Sequence, residues 1–148
     1  LREVGPAANV DVHHICEDGL GTGTTHATEA VTCMQISIIV PTFRESANVP
    51  DLVRRLSDAL EGHEAEIVFV DDSDDETPET IRHVAKRARV PVRLLHRDDP
   101  QGGLGGAVVA GFAVAEHDVC LVMDGDLQHP PESVPRLIER FEAGDVDI

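Results

Sequence analysis

From residue 35 onward, short apolar runs rich in β-branched residues alternate with segments of helical period, and nothing else in the chain constrains its fold as tightly. The spacing predicts strands over 36–40, 67–70, 92–95 and 119–123, the first closed by Pro41 and the last ending in acid. It predicts helices over 49–60, 77–89, 103–115 and 131–141. Leu52, Val53, Leu56 and Leu60 share one face of the first helix, and Ile81, Val84, Ala85 and Ala88 one face of the second. The third is rich in small residues and suited to close packing on a sheet, while Val134, Leu137, Ile138 and Phe141 are spaced for burial in the fourth. Residues 145–148 read as a fifth strand just beginning. Such alternation predicts an α/β fold with a mostly parallel sheet and right-handed crossovers.

A chain of 148 residues, 41% hydrophobic, can bury one respectable core. Its apolar content is aliphatic, with four Phe and no Trp or Tyr, which suits buried parallel strands and offers no stacking platform for single-stranded nucleic acid. The formal net charge of -16 repels phosphate backbones, and the twelve basic residues are scattered, so nucleic acid is excluded as a partner. An acidic chain that handles an anionic substrate must neutralise it locally, and a bound divalent cation is the usual means. Cys16, Cys33 and Cys120 form no CxxC pair; Cys120 sits in an apolar run, which suggests a buried thiol and a reducing, cytoplasmic setting. No stretch approaches the roughly 20 apolar residues that span a bilayer. Residues 1–34 read as an irregular N-terminal extension, either native or preceding a start at Met34. His13, His14 and Cys16 in it lack a fourth partner at zinc-like spacing.

The chemistry collects at strand ends. Pro41, Thr42, Phe43, Arg44 and Glu45 follow the first strand, the acidic run 71–75 the second, and Asp124, Gly125 and Asp126 the fourth. In a parallel sheet these tips share one edge, where ligands of open α/β folds bind near the switch in strand order. With strand order 3-2-1-4, Glu45 and Asp124 flank that crevice. Crowded carboxylates need a compensating cation or solvent, and Gly125 permits the bend that brings Asp124 and Asp126 to one site. Oxygen ligands with open positions favour Mg²⁺ or Mn²⁺ shared with a diphosphate. Plainer readings stand beside these: Asp75 or Thr77 caps the next helix, Gly102, Gly103, Gly105 and Gly106 serve close packing rather than a phosphate, and His129 is an ordinary exposed histidine.

The segments MQISIIVPTFRE, IVFVDDSDDETPE, GGLGGAVVAGF and LVMDGDLQHPPE, in this order and spacing, resemble the family-two glycosyltransferases of GT-A fold. The likeness is greatest to the dolichyl-phosphate mannose synthase branch and its bacterial polyprenyl-phosphate sugar transferase relatives, and it covers residues 35–148. The resemblance implies a Rossmann-like three-layer sandwich, incomplete at its C-terminus, forming the nucleotide-sugar-binding part of such a domain. It also implies that Pro41, Phe43 and Glu45 line the nucleotide pocket, with Phe43 in place of a common Tyr, and that Asp72 bonds the base. Asp124 and Asp126 become the DxD pair, with Gly125 in place of the common Ala and Gln128 as a further metal ligand. The implied reaction is metal-dependent, inverting transfer of a sugar, mannose favoured, to a polyprenyl phosphate. The donor is GDP-mannose by preference or a UDP-sugar, and the membrane is met only through the lipid acceptor or a further C-terminal part.

Three other readings remain open at this point. One is a fragment that binds nucleotide sugar without transferring it. The second is a DxD phosphohydrolase, whose acidic pair would normally follow the first strand. The third is a receiver-like phosphoacceptor built on Asp71 and Asp72, which would want a Lys after a downstream strand.

Overall fold

Side chains along a strand alternate between faces, so continuous runs such as Ile36 to Val40 load both faces of a strand with aliphatics and call for a packed layer on each. The computed structural model describes residues 34–144 and shows that arrangement. Strands β1 (Gln35–Thr42), β2 (Glu64–Asp71), β3 (Val92–His96) and β4 (Val119–Val122) form one parallel sheet in the order β3-β2-β1-β4. The connecting helices are α1 (Val49–Ala59), α2 (Thr77–Ala85), α3 (Gly103–Val114) and α4 (Val134–Glu142). Ile36, Ile38, Val40, Ile67 and Phe69 pack with Leu52 and Leu56 of α1, Ile81 of α2 and Ile138 of α4. On the other face Ile39, Val68 and Val70 pack with Ala107 of α3. Helix α3 lies so close to the sheet that a Cβ on Gly111 would stand 2.3 Å from Ile39 Cγ2. The extension over 1–33, with His13, His14, Cys16 and Cys33, and the strand expected from 145 lie outside the described residues.

Several element boundaries differ from expectation, and at three of them the difference lies in the backbone. Strand β1 runs through Pro41 to Thr42. Ile39 and Pro41 turn their backbone groups toward β4, but β4 ends at Val122 opposite Ile39, so Pro41 lies beyond the last ladder pair, where its missing N–H is tolerated. Helix α2 ends at Ala85 rather than 89, and the Arg87 and Ala88 N–H groups both bond the Val84 carbonyl as the chain leaves the helix. The segment 131–141 opens as a 3₁₀ turn over Pro131–Ser133, since Pro135 has no N–H to bond the carbonyl four residues back; α4 starts at Val134 with Pro135 in its first turn.

Burial departs from expectation along the β4 edge. Val134 and Ile138 are buried, but Leu137 is 49% and Phe141 36% exposed; both border an apolar groove with Val122 beside the last strand of the sheet. Cys120 is half-buried rather than buried for the same reason, with a long bond to the His117 carbonyl at 3.7 Å and a thiol pKa pushed up by burial, then by Glu66 and Asp118.

Strand β2 starts at Glu64, earlier than its apolar run suggests, and Glu66 is buried at the amino end of the sheet. Burial alone would raise its pKa, yet the Ser37 hydroxyl at 2.7 Å, the Glu116 N–H at 2.7 Å and Arg93 at 3.1 Å hold it below the usual carboxylate value. A depressed folded-state pKa contributes stability that is present above the unfolded value and lost as pH falls through the folded one. Glu66→Gln is therefore expected to destabilise the fold by about 1–3 kcal/mol at neutral pH. The gap from wild type should close progressively below about pH 4. Urea midpoints at pH 7 and pH 3 check this, and a gap that widens in acid would contradict it.

Candidate functional site

The carboxyl edge of the sheet carries the expected strand tips, and the order β3-β2-β1-β4 puts the reversal between β1 and β4. The Pro41-to-Glu45 loop leaves β1 through a left-handed residue, Arg44 at φ 59°. A non-glycine residue holds that conformation only when its surroundings fix it. Here the Arg44 N–H donates to Ser73 Oγ at 2.8 Å, its guanidinium makes two bonds of 2.7 Å to Asp74, and it lies 5.1 Å from the centre of the Phe43 ring. The Glu45 carbonyl accepts the N–H groups of Asn48 and Val49 to start α1, and its carboxylate accepts from Asn48 Nδ2 at 2.6 Å.

The acids after β2 are committed one by one. Asp71 is fully buried and accepts from Thr42 Oγ1, Ser73 Oγ and the Ser73 N–H. Asp72 is held by the fork of Arg97, Nε to Oδ1 at 2.7 Å and NH2 to Oδ2 at 2.6 Å, which pushes the guanidinium pKa up. Asp74 pairs with Arg44, and Asp75 accepts the Thr77 N–H at 2.9 Å at the start of α2, the capping role expected of it.

A cleft of about 330 Å³ opens on this edge, walled by Pro41, Thr42, Phe43, Asp72, Pro100, Gly103, Leu104 and Ala107. Three residues expected to bind nucleotide, Pro41, Phe43 and Asp72, are thereby brought together, with Phe43 58% exposed in the cleft wall. Pro100, Leu104 and the Asp72 clamp Arg97 are additions that sequence reasoning missed; the cationic HR pair at the end of β3 was the available signal. The glycine loop has a packing reason. A Cβ on Gly106 would stand 2.0 Å from the Gln101 carbonyl, and the Gln101 and Gly103 carbonyls accept from Arg97 at 3.2 and 3.3 Å.

Asp124, Asp126, Gln128 and Glu45 are not walls of that cleft. The Asp124–Gln128 segment stands beside it: Gly125 is buried against the β1 tip, and a Cβ there would meet Thr42 Cγ2 at 3.0 Å, Glu45 Cγ at 3.6 Å and the Pro41 carbonyl at 3.6 Å. Asp124 and Gln128 are exposed and Asp126 half-buried. Asp126 Oδ1 accepts the Gln128 N–H at 3.0 Å across Leu127, the other left-handed non-glycine residue at φ 62°. Among the described residues no Arg or Lys forms an ion pair with either carboxylate; His129 Nδ1 lies 3.9 Å from Asp124 Oδ2. No group of three or more His, Cys, Asp or Glu able to hold a metal occurs among the described residues.

Comparison with known proteins extends this picture. The family model described as "Glycosyl transferase family 2" matches residues 37–148. A dolichol-phosphate mannosyltransferase from Pyrococcus furiosus is 44% identical over 112 residues, 75% of this chain and 31% of that one. An undecaprenyl-phosphate 4-deoxy-4-formamido-L-arabinose transferase from Pseudomonas syringae is 39% identical over 114 residues, 74% of this chain and 33% of that one. The chain thus spans about a third of the length of these curated relatives. Among solved structures, a mannosyltransferase from Pyrobaculum calidifontis in complex with GDP-Man and Mn²⁺ superposes with a TM-score of 0.60 at 20% identity, over 70% of this chain and 30% of that one. That likeness shows the fold, the GT-A sandwich.

Proposed function

The chain belongs to glycosyl transferase family 2, and from that premise we propose that residues 35–148 form the nucleotide-sugar-binding part of a polyprenyl-phosphate sugar transferase, preceded by an extension over 1–34. The observation that carries the proposal is the pair Asp124 and Asp126. They stand beside the β1 tip at the strand-order switch, and no described arginine or lysine neutralises them. Every other acid discussed at this edge except Glu45 is bonded to arginine or to buried hydrogen-bond donors. Two carboxylates and the Gln128 amide make an incomplete oxygen shell, which suits Mg²⁺ or Mn²⁺ because these ions keep waters and diphosphate oxygens in the remaining positions. When bound, the cation supplies Lewis-acid stabilisation of a departing nucleoside diphosphate.

The chain's own residues do the rest. Asp124 and Asp126 hold the charge that grips the donor, and the Gln128 N–H bond to Asp126 fixes the turn through Leu127 that follows them. Asp72, steadied by Arg97, keeps lone pairs for the donor groups of a base. Phe43 supplies an apolar face and Pro41 a further wall of the cleft, while Glu45 stands beside it against Gly125, which keeps the two loops in contact. The acceptor is a polyprenyl phosphate, already an anion, so inverting attack on the anomeric carbon needs little help from a general base. Mannose from GDP-mannose is the favoured donor group, with UDP-sugars the alternative; a phosphohydrolase or receiver reading has no place in this family. Transfer would occur at the cytoplasmic face of a membrane, although no helix among the described residues is long and apolar enough to cross one.

Calorimetric titration of the chain with GDP-mannose and UDP-glucose, with Mn²⁺ and with EDTA, tests this. The expected result is uptake of one donor that chelation abolishes. Uptake without transfer to a polyprenyl phosphate would favour the binding-only reading, and metal-independent or absent uptake would end the proposal.

A further inference from the structure

Three strand tips meet in a buried hydrogen-bond chain that none of the roles above requires. Asp71 is fully buried, and its two oxygens meet four donors: Thr42 Oγ1 at 2.8 Å, Ser73 Oγ at 2.6 Å, the Ser73 N–H at 3.3 Å and His96 Nδ1 at 2.9 Å. A carboxylate only accepts, so in this contact the imidazole is placed to donate from Nδ1. The other ring nitrogen faces the exposed Asp98 at 3.6 Å. Ser73 Oγ, having donated to Asp71, accepts the Arg44 N–H at 2.8 Å. The chain of bonds therefore runs from the β3 tip through the β2 tip to the one left-handed residue of the β1 loop.

We propose that His96 and Asp71 are positioning residues for the nucleotide cleft, acting through Thr42, Ser73 and the Arg44 backbone; the proposal rests on the nucleotide-binding reading of that cleft. Thr42 and Ser73 each adjoin a cleft residue, Phe43 in one case and Asp72 in the other. A strained φ persists only when its neighbours over-determine it, and the Arg44 N–H bond is the part of that restraint that reaches back to His96. Without the imidazole, one lone pair of a buried carboxylate goes unmet, and Asp71 can relax by rotating away from Ser73. The Phe43 wall and the Asp72 wall then lose their common anchor while the aliphatic core stays packed.

Three substitutions in the 148-residue chain separate this from general destabilisation. His96→Asn keeps an N–H donor near the Nδ1 position, His96→Gln places one near Nε2, and His96→Leu offers none. Amide exchange at Arg44 and Ser73 should quicken about tenfold in His96→Leu and His96→Gln, the worth of one hydrogen bond to a charged acceptor. It should stay near wild type in His96→Asn, with Ile38 and Val68 unchanged in all three. The Kd for GDP or UDP with Mn²⁺ should rise in the same two variants and recover in His96→Asn. Unchanged Arg44 exchange in His96→Leu overturns the relay, as does a uniform quickening that includes Ile38 and Val68. Faster Arg44 exchange with unaltered nucleotide affinity overturns the positioning role. A wild-type chain that takes up no nucleotide overturns the proposed function instead, and the exchange pattern alone then decides the relay.

Discussion

Exchanging Asp124 and Asp126 together for Asn is expected to weaken Mn²⁺-assisted uptake of a nucleoside diphosphate by about 100-fold or more, since cation-borne charge stabilisation is worth several kcal/mol. The substitution keeps side-chain volume, and the amide oxygen introduced by Asp126→Asn can still accept the Gln128 N–H, so the bend beyond Gly125 should survive. What disappears is negative charge. If the two acids merely added to the field of a chain whose formal net charge is -16, removing them would ease the approach of an anionic ligand and strengthen binding. The cation-holding role predicts the opposite sign, so direction alone separates the two accounts. Calorimetry on wild type and variant, with matched melting temperatures as the control for folding, gives the answer. Equal Mn²⁺-dependent affinity would falsify the assignment of these residues.

The largest effect on stability is expected from Phe69→Ala. Phe69 is fully buried in the middle of β2, paired in register with Val40 of β1 and Leu94 of β3, within the cluster that α1, α2 and α4 cover. Truncating a core Phe costs about 3–5 kcal/mol, because transfer energy is lost and the cavity only partly collapses. A domain of this size has about 5–15 kcal/mol in total. The variant should therefore shift the urea midpoint far more than Glu66→Gln does and leave a measurable unfolded fraction at the low end of that range. A shift equivalent to less than about 1 kcal/mol would mean that the sheet repacks around the void.

Much of the architecture could be read before any coordinates. The alternation of periods predicted a mostly parallel sheet that includes the four strands observed, and the acids after the first, second and fourth runs marked one edge as the candidate site. Those features are local: a strand or helix declares itself by which residues recur on one face. The errors fell where local pattern and backbone chemistry disagree. Glu64 and Glu66 hid the start of β2, since a charged residue breaks an apolar run even when Ser37 and Arg93 satisfy it inside the fold. Pro135 split a helix whose apolar spacing looked continuous. Leu137 and Phe141 had the spacing of core residues but lie along the open side of β4.

The site divides in the same way. Pro41, Phe43, Asp72, Asp124 and Asp126 were visible as residues of the right chemistry at strand ends, and their placement on one edge followed once the strands were parallel. Their electrostatic states were not visible. The acidic run after β2 looks equivalent residue by residue, yet Asp71 is an internal acceptor, Asp72 is clamped by Arg97, Asp74 pairs with Arg44 and Asp75 caps a helix. Sequence alone settled which elements form and where the acids emerge, because periodicity and turn chemistry act between near neighbours along the chain. Which acids are paired with arginine and which are not was decided only by the folded sheet. Its register brings donors from β1 and β3 within bonding distance of Asp71, whereas among the described residues Asp126 is met by the Gln128 N–H of its own loop.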